Sequence, residues 1–104
     1  MIVVTAPAEA VERLLDVIAL AGGSVIGDYT HCAFTNPGIG RFKPSEEANP
    51  HVGIKEYINT VDEVRIETFC DRTIAKAVLQ AIRAAHPYEE PVIHLLPLLS
   101  ESDL

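Results

Sequence analysis

The chain has 104 residues, 48% of them hydrophobic, and its 15 acidic residues outnumber 8 basic ones for a formal charge of −7. That length suits one domain burying roughly 60–70% of its unfolded surface, the apolar content argues against disorder, and the negative charge repels the phosphate backbone of nucleic acid. With no apolar run near the about 20 residues that cross a bilayer, no leader-like opening, and only Cys32 and Cys70 as thiols, the expected setting is soluble, cytoplasmic and reducing, without a membrane or a disulfide framework.

Met1 to Thr5 is β-branched and apolar, and it reads as a first strand. Pro7 suits a first helical turn, after which Val11, Leu14, Leu15 and Ile18 recur at helical spacing until Gly22-Gly23 stops the run, which predicts a helix near Ala8 to Ala21. Gly27 to Thr35 reads as a second strand and Val64 to Cys70 as a third. Asp71 is placed to cap a second helix, Arg72 to Ala85, with Ile74, Val78, Ile82 and Ala85 on one face. Pro91 to Leu96 is the last strand, and Ser100 to Leu104 an acidic tail. No repeat or internal boundary breaks the sequence, so residues 1–104 are expected to form one domain.

The order β-α-β-β-α-β predicts an α+β, ferredoxin-like sandwich: right-handed crossovers put both helices on one face of a four-stranded antiparallel sheet. Apolar residues alternate onto both sides of the strands, Ile2 and Val4 against Val3, and Ile93 and Leu95 against Val92 and Leu96. One helical layer covers one face only, so a homo-oligomer is expected, with another copy against the second face. Between the second and third strands, Asn36 to Asp62 is too long for a hairpin loop and is expected to be a mobile excursion. Its Gly38 and Gly40, beside Arg41 and Lys43, admit two readings, an anion-binding backbone nest or simple turn glycines.

Five blocks in order carry a family resemblance: Gly27-Asp28-Tyr29-Thr30-His31-Cys32-Ala33-Phe34, then Gly38, Gly40, Phe42 and Pro44, then Asn49-Pro50 with Gly53, then Val64-Arg65-Ile66-Glu67, and finally His86-Pro87-Tyr88-Glu89-Glu90-Pro91. Together they resemble the inserted domain of the YqfO-type proteins, the Nif-three-like dinuclear-metal-centre family, and that domain is itself similar to the ferredoxin-like CutA and PII proteins. The resemblance implies a PII/CutA-like trimer, with a dimer as the alternative, and a long loop that contacts a protein partner or gates a ligand. The family's dinuclear metal site is implied to lie in the flanking main domain, so its hydrolytic role is not expected of this segment. Glu47 and His94 depart from the family pattern, where a glycine and an acidic residue are expected.

For chemistry, the turn from His86 to Pro91 stands out, because its prolines restrict the backbone while it presents an imidazole, a phenol and two carboxylates. His86, Glu89 and Glu90, joined by His31 through folding, are the candidate ligands for a divalent metal ion. His31, Arg41, Lys43 and Tyr88 are the candidate contacts for a small ligand. Against this, the carboxylates can simply lock the turn by accepting backbone N–H groups, and His31 can simply hydrogen-bond at an oligomer contact. If Gly27 to Thr35 is a strand, His31 shares a face with Tyr29 and lies across from Arg65 and Glu67, while Cys32 joins Phe34 and Cys70 joins Val64 and Ile66 in the core. No Cys-x-x-Cys, no helical His pair and no nucleophile elbow is present. The expected function is therefore a non-catalytic, homo-oligomeric binding or regulatory module for a metal ion or small ligand. A metal-dependent enzyme with its site between subunits, or a purely structural assembly domain, are the alternatives.

Overall fold

Apolar spacing and turn chemistry account for both helices. In the computed structural model, which describes residues 1–104, helix α1 spans Val11–Leu20 after a 3-10 turn at Ala8–Ala10. Leu14 and Ile18, four residues apart, are fully buried, as the 3.6-residue period requires. The helix closes with paired bonds, Gly22 N–H to the Ala19 carbonyl and Gly23 N–H to that of Ile18. Gly22 has φ +99°, the left-handed geometry of this stop signal. Helix α2, Ala75–Ala85, follows a 3-10 turn at Arg72–Ile74 and buries Val78 and Ile82 in the same way. Asp71 caps that 3-10 turn by accepting from the Thr73 N–H at 2.9 Å and hydroxyl at 2.8 Å, which lowers its carboxyl below the ordinary aspartate range.

The strands are β1, Ile2–Ala6; β2, Phe34–Phe42; β3, Asn59–Thr68; and β4, Ile93–Leu95. They form one antiparallel sheet in the order β2-β3-β1-β4, the expected ferredoxin-like α+β arrangement. Register fixes the faces. Val4 lies between Ile66 and Ile93, and Ile2 between Thr68 and Leu95. Ile2, Val4, Ala6 and Ile66 join Ala10, Leu14, Ile18, Val78 and Ile82 in one core. The opposite face carries Val3, Thr5, Glu63, Arg65, Glu67, Phe34 and His94. Val3, flanked in register by Glu67 and His94, is only 5% exposed, whereas Phe34 on the same face is 66% exposed.

The second strand differs from expectation. It begins at Phe34, not Gly27, and runs through Pro37, Gly38 and Gly40, residues that signal loop in a sequence. An edge strand tolerates them, because a proline nitrogen there faces outward and needs no ladder partner. Residues 27–33 instead form turns: Ile26 and Tyr29 exchange backbone bonds at 3.0 and 2.9 Å, and Gly27 and His31 have φ of +55° and +60°. The strand alternation expected for Tyr29, His31 and Cys32 is therefore corrected. Cys32 is half-buried beside an exposed Phe34, and Cys70 lies beyond the end of β3, packed against the core. The expected excursion from Asn36 to Asp62 shrinks to residues 43–58, since both of its ends are paired strand. What remains has its own bonds. Glu56 N–H donates to the Pro44 carbonyl at 2.6 Å, Lys55 Nζ to the Glu46 carbonyl at 2.9 Å, and Asn59 Nδ2 to the Ile54 and Tyr57 carbonyls at 2.8 Å.

A buried hydroxyl pair anchors the segment after α1. Thr68 Oγ1 donates to the Cys32 carbonyl at 2.7 Å and so accepts from Ser24 Oγ, while Ser24 N–H donates to the Phe69 carbonyl at 2.8 Å. Ser24 is fully buried and Thr68 is 2% exposed, so neither hydroxyl can turn to water. Thr68→Val keeps the shape and strands both partners. It should lower stability by about 1–3 kcal/mol in urea unfolding, and an unchanged midpoint would remove this anchor from the account.

Candidate functional site

The turn after α2 is built around His86. The helix ends as the residue before Pro87 takes extended geometry, with φ −75° and ψ 133°. This swings the His86 ring, 7% exposed, under the sheet. Its Nε2 meets the Thr5 carbonyl at 2.8 Å, and its Nδ1 accepts from the Tyr88 N–H at 3.1 Å. The carbonyl can only accept, so the proton sits on Nε2 and the ring is the neutral tautomer. Both nitrogens are thus engaged in holding β1 to the turn.

Tyr88 packs against that ring, with centroids 4.9 Å apart, and lies 6.1 Å from the ring of His51. Its hydroxyl is closed to solvent and has no well-formed hydrogen bond, although the Glu63 carboxylate is near. Burial first, and then that carboxylate, push its pKa far above the ordinary phenol range. Glu63 reaches this position by crossing Gly40, where any β-carbon would overlap the carboxylate. Gly40 is therefore a space for an acid, a use the sequence shows only as a glycine beside cations.

These groups line a cleft of about 430 Å³ on the helix-free face. Thr5, Glu63 and Phe42 form its floor. Arg41, Lys43, Pro44 and the loop residues Ser45, Ala48, Pro50, His51 and Val52 line one side, and Tyr88, Glu89, Glu90 and Val92 the other. Glu89 Oε1 accepts from the Asn49 N–H at 3.0 Å, tying loop to turn across the opening. Of the residues singled out in the sequence, Arg41, Lys43, Tyr88, Glu89 and Glu90 meet here. His51 and Glu63 belong to the set and were not singled out, because only the hairpin register and the folded loop bring them in.

His31 does not join them. It sits in a left-handed turn, with Nε2 3.0 Å from Asp16 Oδ1 on α1 and Nδ1 2.9 Å from the Thr30 hydroxyl. Both side chains of the pair are open to water, at 46% and 74% exposure. Arg65 and Glu67, expected near His31, pair with each other at 3.0 Å. The expected metal quartet of His31, His86, Glu89 and Glu90 is accordingly not assembled within the chain. No group of three or more His, Cys, Asp or Glu side chains is placed to hold a metal ion. The physical reason is that His86 spends its nitrogens on backbone while His31 is held by α1.

No family model matches the chain. It is 40% identical over 92 residues to the GTP cyclohydrolase 1 type 2 homolog of Bacillus subtilis (strain 168), covering 88% of this chain and 25% of that protein. It is 39% identical over 97 residues to the protein of that name from Mycobacterium leprae (strain TN), covering 93% and 25%. Among solved structures it is similar to a Bacillus cereus protein related to NIF3, with TM-score 0.80 and 35% identity over 93% of this chain and 24% of that one. The periplasmic divalent cation tolerance protein CutA from Archaeoglobus fulgidus superposes with TM-score 0.68 at 19% identity, over 93% of this chain and 80% of that one, and shows the shared fold. The chain thus spans about a quarter of the length of the curated relatives it matches. In sequence it is similar to a segment of NIF3-related proteins, and in fold to CutA.

Three outcomes follow from the geometry. His86→Ala removes a bond to each of two part-buried backbone groups and should cost about 1–3 kcal/mol in urea unfolding; full stability would show that the ring does not hold the turn. Gly40→Ala must displace the Glu63 carboxylate. In a titration followed by ultraviolet absorbance, the Tyr88 step should move part of the way back towards ordinary phenol values, because burial remains. Because the folded phenol resists ionisation, its contribution to stability is complete below the unfolded pKa of about 10 and declines above it. Tyr88→Phe should flatten that alkaline loss, and an identical loss in both proteins would contradict the assignment.

Proposed function

We propose that this chain is a non-catalytic, homo-oligomeric binding or regulatory module of PII/CutA-like type, with the cleft as its ligand site. The observation that carries this reading is the cleft itself. It is a concave site of about 430 Å³, within the ordinary size of small-molecule pockets. It is bridged by the Asn49–Glu89 bond and lined by cations, carboxylates and the Tyr88 ring, the group types that orient a ligand. The helix-free face supports the oligomer, since Phe34 and Val92 stand 66% and 48% exposed on it. A trimer follows from the resemblance, and a dimer covers the same face. The loop at residues 43–58, with Ile54, Tyr57 and Ile58 exposed, is the surface offered to a protein partner.

A second reading has its own support. Glu63, Glu89, Glu90 and His51 line the same cleft and are side-chain types that ligate a divalent cation, although no three of them stand together to hold one in this structure; a second copy would have to complete such a site, with or without metal-dependent chemistry at the subunit boundary. Its affinity would fall as pH drops through the histidine range, since a protonated imidazole cannot ligate.

Sedimentation of tag-free protein at micromolar concentration should give a mass above that of the monomer. A thermal-shift screen of small polar metabolites and divalent cations should find a stabilising ligand whose effect is lost in Arg41→Gln or Glu90→Gln. A monomeric mass removes the oligomer. A screen in which every shift survives both substitutions removes the cleft as the site, leaving a structural assembly domain.

A further inference from the structure

The arrangement of charge in the cleft carries a narrower assignment, which rests on the reading of the cleft as a binding site. Arg41 and Lys43 come from the end of β2, whereas Glu89 and Glu90 come from the turn leading into β4. These strands are the two edges of the sheet, so the groups start three strand spacings apart, about 14 Å at about 4.8 Å each. Both sets line the cleft, together with Glu63 from β3 between them.

Opposite charges that line one cleft would be expected to pair. They do not. The ion pairs of the protein are His31–Asp16 and Arg65–Glu67, both outside the cleft. Arg41 and Lys43 are left without a carboxylate partner. Of the acids, Glu89 takes the Asn49 N–H, leaving Glu90 free.

A simple anion satisfies the two cations and meets three carboxylates. A simple amine satisfies the carboxylates and meets two cations. A solute with both signs at matching separation is the one that every wall attracts, and each wrong partner is rejected by a like charge. We infer that the cleft binds a small dipolar ligand, with a carboxylate or phosphate group against Arg41 and Lys43, and an amino group against Glu90.

Calorimetry with 6-aminohexanoate, and with its two halves hexanoate and hexylamine, tests this directly. O-phosphoethanolamine, beside inorganic phosphate and ethanolamine, is the arm that separates phosphate from carboxylate as the acidic group. One dipolar probe should bind at least tenfold more tightly than either of its halves. Arg41→Gln should weaken that probe and its acidic half together. Glu90→Gln should erase its advantage over the acidic half. Both side chains are exposed, so both variants should fold, which circular dichroism checks. Equal affinities for the probe and its halves, a preference that survives Glu90→Gln, or no binding of any probe at millimolar concentration would overturn the dipolar assignment. The broader reading is judged separately: a ligand of one sign, found in the wider screen and lost in Arg41→Gln, would keep the cleft as a site while ending this assignment.

Discussion

One imidazole sets the geometry on which the cleft depends. His86 donates to the carbonyl of Thr5 at the end of β1 and accepts from the N–H of Tyr88 in the turn. Those two backbone groups belong to parts of the chain that no regular ladder joins. With the ring between them, the residues from Tyr88 to Glu90 are held at a fixed height over the sheet. The phenol then rests on the imidazole, and Glu89 is close enough to catch the loop at Asn49. A buried histidine used in this way is a structural part, and its value to a ligand site is indirect: it holds still the groups that would make contact.

The two faces of the sheet divide the labour. The helix side contains almost all of the fully buried apolar residues, from Ile2 and Val4 to Val78 and Ile82, and it supplies the hydrophobic driving force for folding. The other face carries polar groups in ordered positions, together with apolar side chains left in water. Because stability is drawn from one side, substitutions on the other can be tolerated more freely. This is the arrangement expected where a fold serves as a frame for a site whose chemistry varies.

The fold class was legible in the sequence because its signals are local. Leu14 with Ile18, and Val78 with Ile82, repeat within a single turn of helix, and Gly22 and Asp71 mark where the helices stop and start. The β2 strand was not legible. Pro37, Gly38 and Gly40 speak for a loop in isolation, and only the long partner β3 overrides them, through pairing between residues far apart in the chain. That error also misplaced His31, since the face assigned to it presumed a strand. The cleft was read in part. Arg41, Lys43, Tyr88, Glu89 and Glu90 were conspicuous as charged or aromatic groups near prolines and glycines, whereas Glu63 and His51 carry no local mark. A fold of this kind hides a site wherever register, and not spacing, brings its members together.

Pro37 has a consequence for the company this molecule can keep. The outer margin of β2 is nine residues long, and an uninterrupted margin of that length is a template on which a stray strand can grow. A proline near its middle deletes one donor from the row, and the flanking Gly38 offers no side chain to grip a newcomer. The opposite margin, β4, is only three residues long. Neither border can therefore extend the sheet indefinitely. Copies of the chain that meet are steered towards contacts between surfaces, which close into finite particles, and away from end-to-end stacking, which grows into fibres.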